Sequence, residues 1–140
     1  MKRRIFILAM LAPAIAYAHS AKLGDIAIGH SWALPSQDTD GQVFFPLVNN
    51  GSTPDELVGA SSEICGQIEL RGNNRYGEPP LQSFPLEPGK PIPMRPTARH
   101  LRLIGLKRPL NARDSFTITL EFRKAGKIGI EVIVEPSASG

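Results

Sequence analysis

The stretch from Ser115 to Val134 reads SFTITLEFRKAGKIGIEVIV and decides the fold class. In its first half, apolar residues from Phe116 to Phe122 alternate with threonine or glutamate, which is the period of two expected of a half-buried β-strand. The alternation resumes from Ile128 to Val134, after the dipeptide Ala125-Gly126. The pattern therefore predicts an antiparallel hairpin that turns at Ala125-Gly126.

Upstream of this hairpin, the sequence predicts further short strands and no helix of useful length after residue 18, because glycine, proline, asparagine and aspartate punctuate short apolar runs. The predicted strands are approximately Asp25 to Trp32, Gln42 to Val48, Glu56 to Ser61, Cys65 to Arg71, Leu81 to Leu86, Ile92 to Met94 and His100 to Leu106. Together they indicate an all-β sandwich of about seven to nine strands. Pro46, Pro85 and Pro93 lack the backbone N–H that a ladder needs, so we expect their strands to be edges or to be bulged.

The first 18 residues, MKRRIFILAMLAPAIAYA, have the features of a secretory signal peptide. A basic start is followed by an apolar run too short to span a membrane, and the segment ends with the small residues of Ala16-Tyr17-Ala18. We therefore expect residues 1–18 to be cleaved, leaving residues 19–140 as one periplasmic domain with no stable membrane anchor. Its 122 residues are enough for a single core but too few for a dinucleotide fold or a two-domain enzyme.

The charge balance of the mature domain argues against a nucleic-acid partner. The whole chain has 16 Lys and Arg against 13 Asp and Glu, but three of the basic residues lie in the signal peptide. The mature domain is therefore formally neutral, and no basic surface is expected to bind a polyanion. The exposed arginines expected near the loops, Arg71, Arg75, Arg95, Arg99 and Arg102, are interpreted as solvated surface charge.

Cleavage after Ala18 would make His19 the first residue, and an N-terminal histidine can bind a metal through both its α-amine and its ring Nδ1. A second histidine would complete three nitrogens in a T shape, the histidine brace, which suits tetragonal Cu(II). The alternative interpretation of His19 is a frayed terminal residue. His100, which opens an apolar strand, is equally compatible with a ligand and with a structural role, whereas His30 is more typical of a partly buried residue beside Trp32.

No other catalytic arrangement is evident in the sequence. There is no G-x-S-x-G, H-E-x-x-H or phosphate loop, and the carboxylates show no spacing typical of a paired site. The single cysteine, Cys65, cannot form an internal disulfide and is interpreted as a buried small residue. The sequence alone therefore gives no reason to expect an enzyme.

Residues along the whole mature chain resemble the PCu(A)C family of periplasmic copper chaperones. The segments that carry the resemblance are His19 to Trp32 (HSAKLGDIAIGHSW), Leu47 to Gly51, Asp55 to Ser62, Ile68 to Leu70, Pro96, His100-Leu101, Gly105-Leu106, Pro109-Leu110 and Leu120 to Val134. The resemblance implies a cupredoxin-like Greek-key β-sandwich. It also implies a Cu(I) site of two histidines and two methionines, and delivery of copper to a cuproenzyme such as cytochrome oxidase.

The sequence departs from this family at the metal ligands. Arg71 stands where the family has its first histidine, the family's His-x-Met is His100-Leu101-Arg102, and no methionine occurs from Tyr76 to Phe84. Loss of the thioethers should weaken Cu(I) binding most, because soft sulfur ligands select the reduced ion. We therefore expect Cu(II) rather than Cu(I), bound by His19 and His100, with His30 or water in the remaining position.

Two other classes of function remain open at this stage. One is a metal-free periplasmic interaction protein, in which Arg71 and Arg102 replaced the ligands after the site was lost. The other is an oxidative copper enzyme of the kind that uses an N-terminal brace on polysaccharides, which the small number of aromatic residues argues against.

Overall fold

The computed structural model describes residues 20–136 of the chain. The predicted signal peptide and His19 lie outside these residues. The described part is all-β and contains no helix. Its strands are β1 Ala21–Leu23, β2 Ile26–Ile28, β3 Ser31–Ala33, β4 Asp40–Phe44, β5 Leu47–Asn49, β6 Asp55–Ser61, β7 Gln67–Arg71, β8 Phe84–Leu86, β9 His100–Ile104, β10 Ser115–Phe122 and β11 Gly126–Val134.

The strands form two sheets. The smaller sheet has the order β1-β2-β5, and the larger has the order β7-β9-β4-β3-β11-β10-β6-β8. Every pairing is antiparallel except that of β11 with β3. Several neighbouring strands are distant in sequence. Between β7 and β9, which pair at one edge of the large sheet, the chain crosses to the other edge to form β8, a connection typical of sandwiches.

The C-terminal hairpin is confirmed, with β10 and β11 paired along their whole length from Ser115↔Ile133 to Phe122↔Gly126. Gly126 adopts φ of 101°, a conformation that side chains disfavour. Below the turn, the buried Asp55 carboxylate accepts backbone N–H bonds from Lys124 at 2.8 Å and Ala125 at 3.0 Å. Burial raises the pKa of Asp55, but these N–H bonds outweigh it and hold the pKa below its usual value.

Two of the predicted strands are broken in the structure, which brings the number of strands to 11 in the described residues. The first is interrupted at Gly29 and the second at Pro46, where the missing proline N–H ends the ladder. At the break, Gly29 donates its N–H to the Pro46 carbonyl at 2.9 Å, and a Cβ on Gly29 would lie 2.8 Å from the Pro46 ring. At this contact the chain passes from the small sheet into the large one at Gly29 and returns to the small one at Pro46.

The other strand predictions have mixed outcomes. Pro85 lies in β8, an edge strand of the large sheet, as predicted. Ile92 forms only an isolated bridge with Leu47, so the predicted strand from Ile92 to Met94 is wrong, and β1 was not predicted at all. Cys65 is a free, buried thiol as expected, and burial raises its pKa.

Alternate residues of the long strands fill one hydrophobic core. Buried side chains from both sheets contribute to it, including Ile28, Val43, Leu57, Phe84, Leu101, Leu103, Ile118, Leu120, Val132 and Val134. This core holds the sandwich together without a disulfide, since Cys65 is a free thiol. No helix among residues 20–136 is long and apolar enough to span a bilayer.

Shortening a core side chain of β10 should destabilise the domain far more than shortening its outward neighbour. Ile118 is fully buried, so Ile118→Ala should lower the free energy of unfolding by about 2–5 kcal/mol. Thr117 is exposed, so Thr117→Ala should change it by about 1 kcal/mol at most. Urea denaturation of both variants tests this, and similar losses in the two would show that the register of the hairpin is wrong.

Candidate functional site

Four strands of the large sheet carry a row of side chains on the face that points away from the core. Trp32 of β3 is paired with Phe44 of β4, and Arg71 of β7 is paired with His100 of β9. The ring centroids of Trp32 and Phe44 are 4.4 Å apart, and those of Phe44 and His100 are 6.1 Å apart. We call this surface the outer face of the sheet; of the sequence-based ligand candidates, it carries His100.

His100 is completely buried on this face, beneath the loops of residues 72–80 and 95–99. Its Nδ1 lies 2.8 Å from the carbonyl oxygen of Ala98, which can only accept, so Nδ1 carries the proton. Its Nε2 lies 2.8 Å from the Tyr76 hydroxyl and 3.3 Å from Nε2 of Gln42. Both ring nitrogens of His100 are therefore hydrogen-bonded, with Nε2 as the acceptor.

Arg71 is also buried, with only 2% of its surface exposed. One terminal nitrogen donates to the carbonyl oxygens of Arg75 at 2.8 Å and Glu78 at 3.0 Å, and the other lies 3.4 Å from the Glu69 carboxylate. Its Nε has no partner among the described residues. The guanidinium thus ties the loop of residues 72–80 to the sheet.

Arg102 completes a charge-balanced cluster beside His100. It donates from Nη2 and Nε to the Asp40 carboxylate at 2.6 and 2.9 Å, and from Nη1 to Glu69 at 3.3 Å. Its guanidinium carbon lies 4.1 Å from the centre of the Tyr76 ring, and that of Arg71 lies 5.1 Å from it. Tyr76 is therefore held by cation–π contacts as well as by its hydroxyl.

The surroundings of His100 favour its neutral form. Burial lowers the pKa of His100 most, and the nearby positive charges of Arg71 and Arg102 lower it further. The hydrogen bond to Ala98 acts in the opposite direction but does not offset them. A cation bound to His100 Nε2 in place of the Tyr76 hydroxyl would be repelled by the positive charges of Arg71 and Arg102.

His30 lies immediately before β3. Its side chain is 45% exposed, and its Nε2 lies 3.2 Å from the Glu135 carboxylate. The expectation of a partly buried residue is therefore wrong for His30. Within residues 20–136 no three His, Cys, Asp or Glu side chains form a group that could hold a metal, and His30 and His100 are not brought together.

Sequence reasoning missed several of the residues that define this face. The interpretation of the arginines as solvated surface charge is right for Arg75, Arg95 and Arg99. It is wrong for the buried Arg71 and for Arg102, which is 19% exposed and paired with Asp40 and Glu69. Tyr76 and Gln42 were not recognised, because their roles depend on contacts across the fold. No signal in the sequence indicated the burial of Arg71, because its position opposite the apolar residues of its strand predicts exposure.

The family model described as "Putative lipoprotein LpqE-like" matches residues 26–134. The chain belongs to the LpqE-like family. A curated relative, "Putative lipoprotein Lxx21020" of Leifsonia xyli subsp. xyli (strain CTCB07), is 24% identical over 128 residues, covering 88% of this chain and 77% of the relative. Both descriptions are of putative lipoproteins; in this LpqE-like chain the only cysteine is Cys65.

Solved structures similar to this LpqE-like protein are PCuAC domains. The apo PCuAC domain from PmoF1 has a TM-score of 0.77 at 24% identity, covering 84% of this chain and 99% of that domain. The copper-bound PCuAC domain from PmoF2 has a TM-score of 0.75 at 25% identity, covering 85% and 99%. The expected cupredoxin-like fold and the resemblance to PCu(A)C proteins are thereby confirmed.

The buried His100 should make the stability of the domain depend on pH. Because its pKa is lower in the folded protein than in the unfolded chain, the unfolded chain binds the additional proton below about pH 6.5. The free energy of unfolding should therefore fall on acidification, by up to about 1.4 kcal/mol per pH unit. The loss continues until the pH passes the lowered pKa of His100.

Urea denaturation between pH 7.5 and pH 5 measures this dependence. His100→Gln should flatten the pH profile, since glutamine does not titrate, whereas the matched variant His30→Gln should leave the steep part in place. An equally steep profile in His100→Gln would show that another group is responsible.

Proposed function

We propose that this protein is an exported copper-binding protein that binds one Cu(II) through an N-terminal histidine brace at His19, and that it carries or buffers copper for a cuproenzyme. The observation that supports the site is the pairing of β1 with β2. Ala21 lies opposite Ile28 in that antiparallel ladder. The ladder ends at this pair; in the sequence, position 19 is two residues before Ala21 and His30 is two residues after Ile28, so we infer that both histidines lie at this end of the ladder.

The donor atoms proposed at this end of the β1–β2 ladder suit Cu(II). We call this end of the ladder the copper edge. The brace would use the α-amine and Nδ1 of His19, and the imidazole of His30 would supply the third nitrogen, a set typical of tetragonal copper. Glu135, 3.2 Å from His30 Nε2, can accept a hydrogen bond from the N–H of that nitrogen and orient the ring, as carboxylates commonly do for metal-bound histidines. His30 is exposed enough for an incoming ion to reach it.

His100 is less suited than His30 to be the second histidine. Binding a metal at its Nε2 would break the hydrogen bond to Tyr76 and place a cation beside Arg71 and Arg102, inside a buried region. The sequence-based choice of His100 stays a prediction, which the titration described below tests together with His30.

The lack of thioether ligands supports Cu(II) over Cu(I). Met94 is the only methionine beyond the predicted signal peptide, and it packs against the hydrophobic core. The PCuAC fold, with a copper-bound example among the similar structures, supports copper as the cargo. A recipient such as cytochrome oxidase is part of the proposal because a brace that exchanges copper needs an acceptor.

A second candidate function is a metal-free interaction protein. The observation that favours it is the buried Arg71, which occupies the position where the resemblance places a metal ligand and which is already hydrogen-bonded to two carbonyl groups. In that case copper binding would be weak in every form of the protein.

Titration with Cu(II), followed by electron paramagnetic resonance, tests the proposal on protein that begins at His19. The matched control is the same protein with one additional N-terminal residue, which converts the α-amine to an amide. We expect tight one-to-one binding with nitrogen hyperfine structure, lost in the extended control. Affinity should rise with pH near ~7.7 to 8.0, where a terminal amine loses its proton.

Variants of the two histidines then separate the alternatives. Glu135→Gln removes the hydrogen-bond partner of a proposed ligand and should weaken copper binding roughly 10-fold. His30→Ala removes the ligand itself and should weaken binding more. His100→Ala, checked for folding, should leave the affinity unchanged. Equal weak binding by the His19 protein and its extended control would reject the brace and favour the metal-free function.

A further inference from the structure

Residues 95–99 form a tight turn that presents two arginines to solvent. The Arg95 N–H donates to the Arg99 carbonyl oxygen at 3.0 Å, and the Ala98 N–H donates to the Arg95 carbonyl oxygen at 3.1 Å. Both arginines are exposed, and neither forms an ion pair with any of residues 20–136. We call residues 95–99 the basic turn.

The basic turn is fixed from below by buried donors. His100 Nδ1 donates to the Ala98 carbonyl oxygen at 2.8 Å, and Gln42 Nε2 donates to the Pro96 carbonyl oxygen at 3.2 Å. Because His100 and Gln42 also contact the Tyr76 hydroxyl, the turn is part of one connected network. A turn held in this way loses little conformational freedom when a partner binds.

The charge of the basic turn is not compensated locally. The other arginines around His100 are neutralised, Arg75 by Glu78 and Arg102 by Asp40. Arg95 and Arg99 therefore leave two positive charges on a domain that is formally neutral without its signal peptide. Such a local excess attracts and orients an oppositely charged surface.

We propose that the basic turn is a docking element for a carboxylate-rich surface of a partner protein. The planar guanidinium matches a carboxylate with two parallel hydrogen bonds, and arginine is enriched at protein interfaces. A lipid surface is a poorer fit, because membrane-binding clusters typically contain about 4–8 basic residues. The described residues also expose only one large apolar side chain, Leu81, that could insert into lipid.

The basic turn and the proposed copper edge lie close together. The turn leads into β9 and His30 leads into β3, and the two strands are separated only by β4, so they are about 10 Å apart. A partner docked on the turn would thus lie near His30. The docking proposal itself does not depend on copper, so it is tested on metal-free protein.

The test is a nuclear magnetic resonance titration of the metal-free protein beginning at His19 with poly-L-glutamate. We expect the largest shifts at Arg95 to Arg99, and an affinity that falls as salt is added. Arg95→Glu combined with Arg99→Glu should weaken binding by about 10-fold, a modest factor because exposed ion pairs are individually weak. Replacing both arginines by lysine should weaken it by about threefold, since lysine lacks the planar fork.

The matched control reverses two exposed charges outside the turn, Lys107→Glu and Lys127→Glu, and should weaken binding by less than about twofold. Equal losses in the two double variants would overturn the proposal, as would shifts centred elsewhere. Turn-dependent binding to vesicles of phosphatidylglycerol, with none to poly-L-glutamate, would assign the turn to lipid instead. Because no copper is present in this experiment, a negative result would not bear on the proposed brace. Rejection of the brace would likewise not change the result of this titration.

Discussion

The buried guanidinium of Arg71 is the interaction on which the outer face depends. A positive charge that is 2% exposed must be compensated, and its donors find two loop carbonyls and Glu69. These bonds fix the loop that carries Tyr76, whose hydroxyl then covers His100. Removing one partner from such a buried charge typically costs about 3–5 kcal/mol, so the loop, Tyr76 and His100 are expected to hold or fail together.

The same arrangement limits where a metal can bind. In the described residues, the centre of the outer face is occupied by paired charges and by a neutral histidine with both nitrogens engaged. Desolvation and the two guanidiniums would make binding of an ion there costly, whereas His30 is exposed and lies beside a carboxylate. The proposed copper site therefore lies at the edge of the face. The hydrogen bonds of His100 and Gln42 at its centre hold the basic turn in place.

Local patterns predicted the fold well and the outer face poorly. The β10–β11 hairpin was predictable because alternation on both sides of a glycine turn has one reasonable interpretation, and the burial of Ile118 follows from it. The breaks at Gly29 and Pro46 depend on a contact between two segments, which alternation does not encode. The network around His100 involves Gln42, 58 residues away in sequence, and the burial of Arg71 depends on how the following loop folds back, so residue type and spacing alone favoured surface charge for Arg71.

The central claim, that copper binds at the β1–β2 edge and leaves the His100 network intact, is tested most directly by paramagnetic broadening. Backbone amide signals of the protein beginning at His19 would be recorded while Cu(II) is added below one equivalent. We expect signals of Ala21, of Gly29 to Ser31 and of Glu135 to be lost first, while those of Arg71 and Tyr76 persist. Earlier loss of the Arg71, Tyr76 and His100 signals would place the metal in the network and contradict this account.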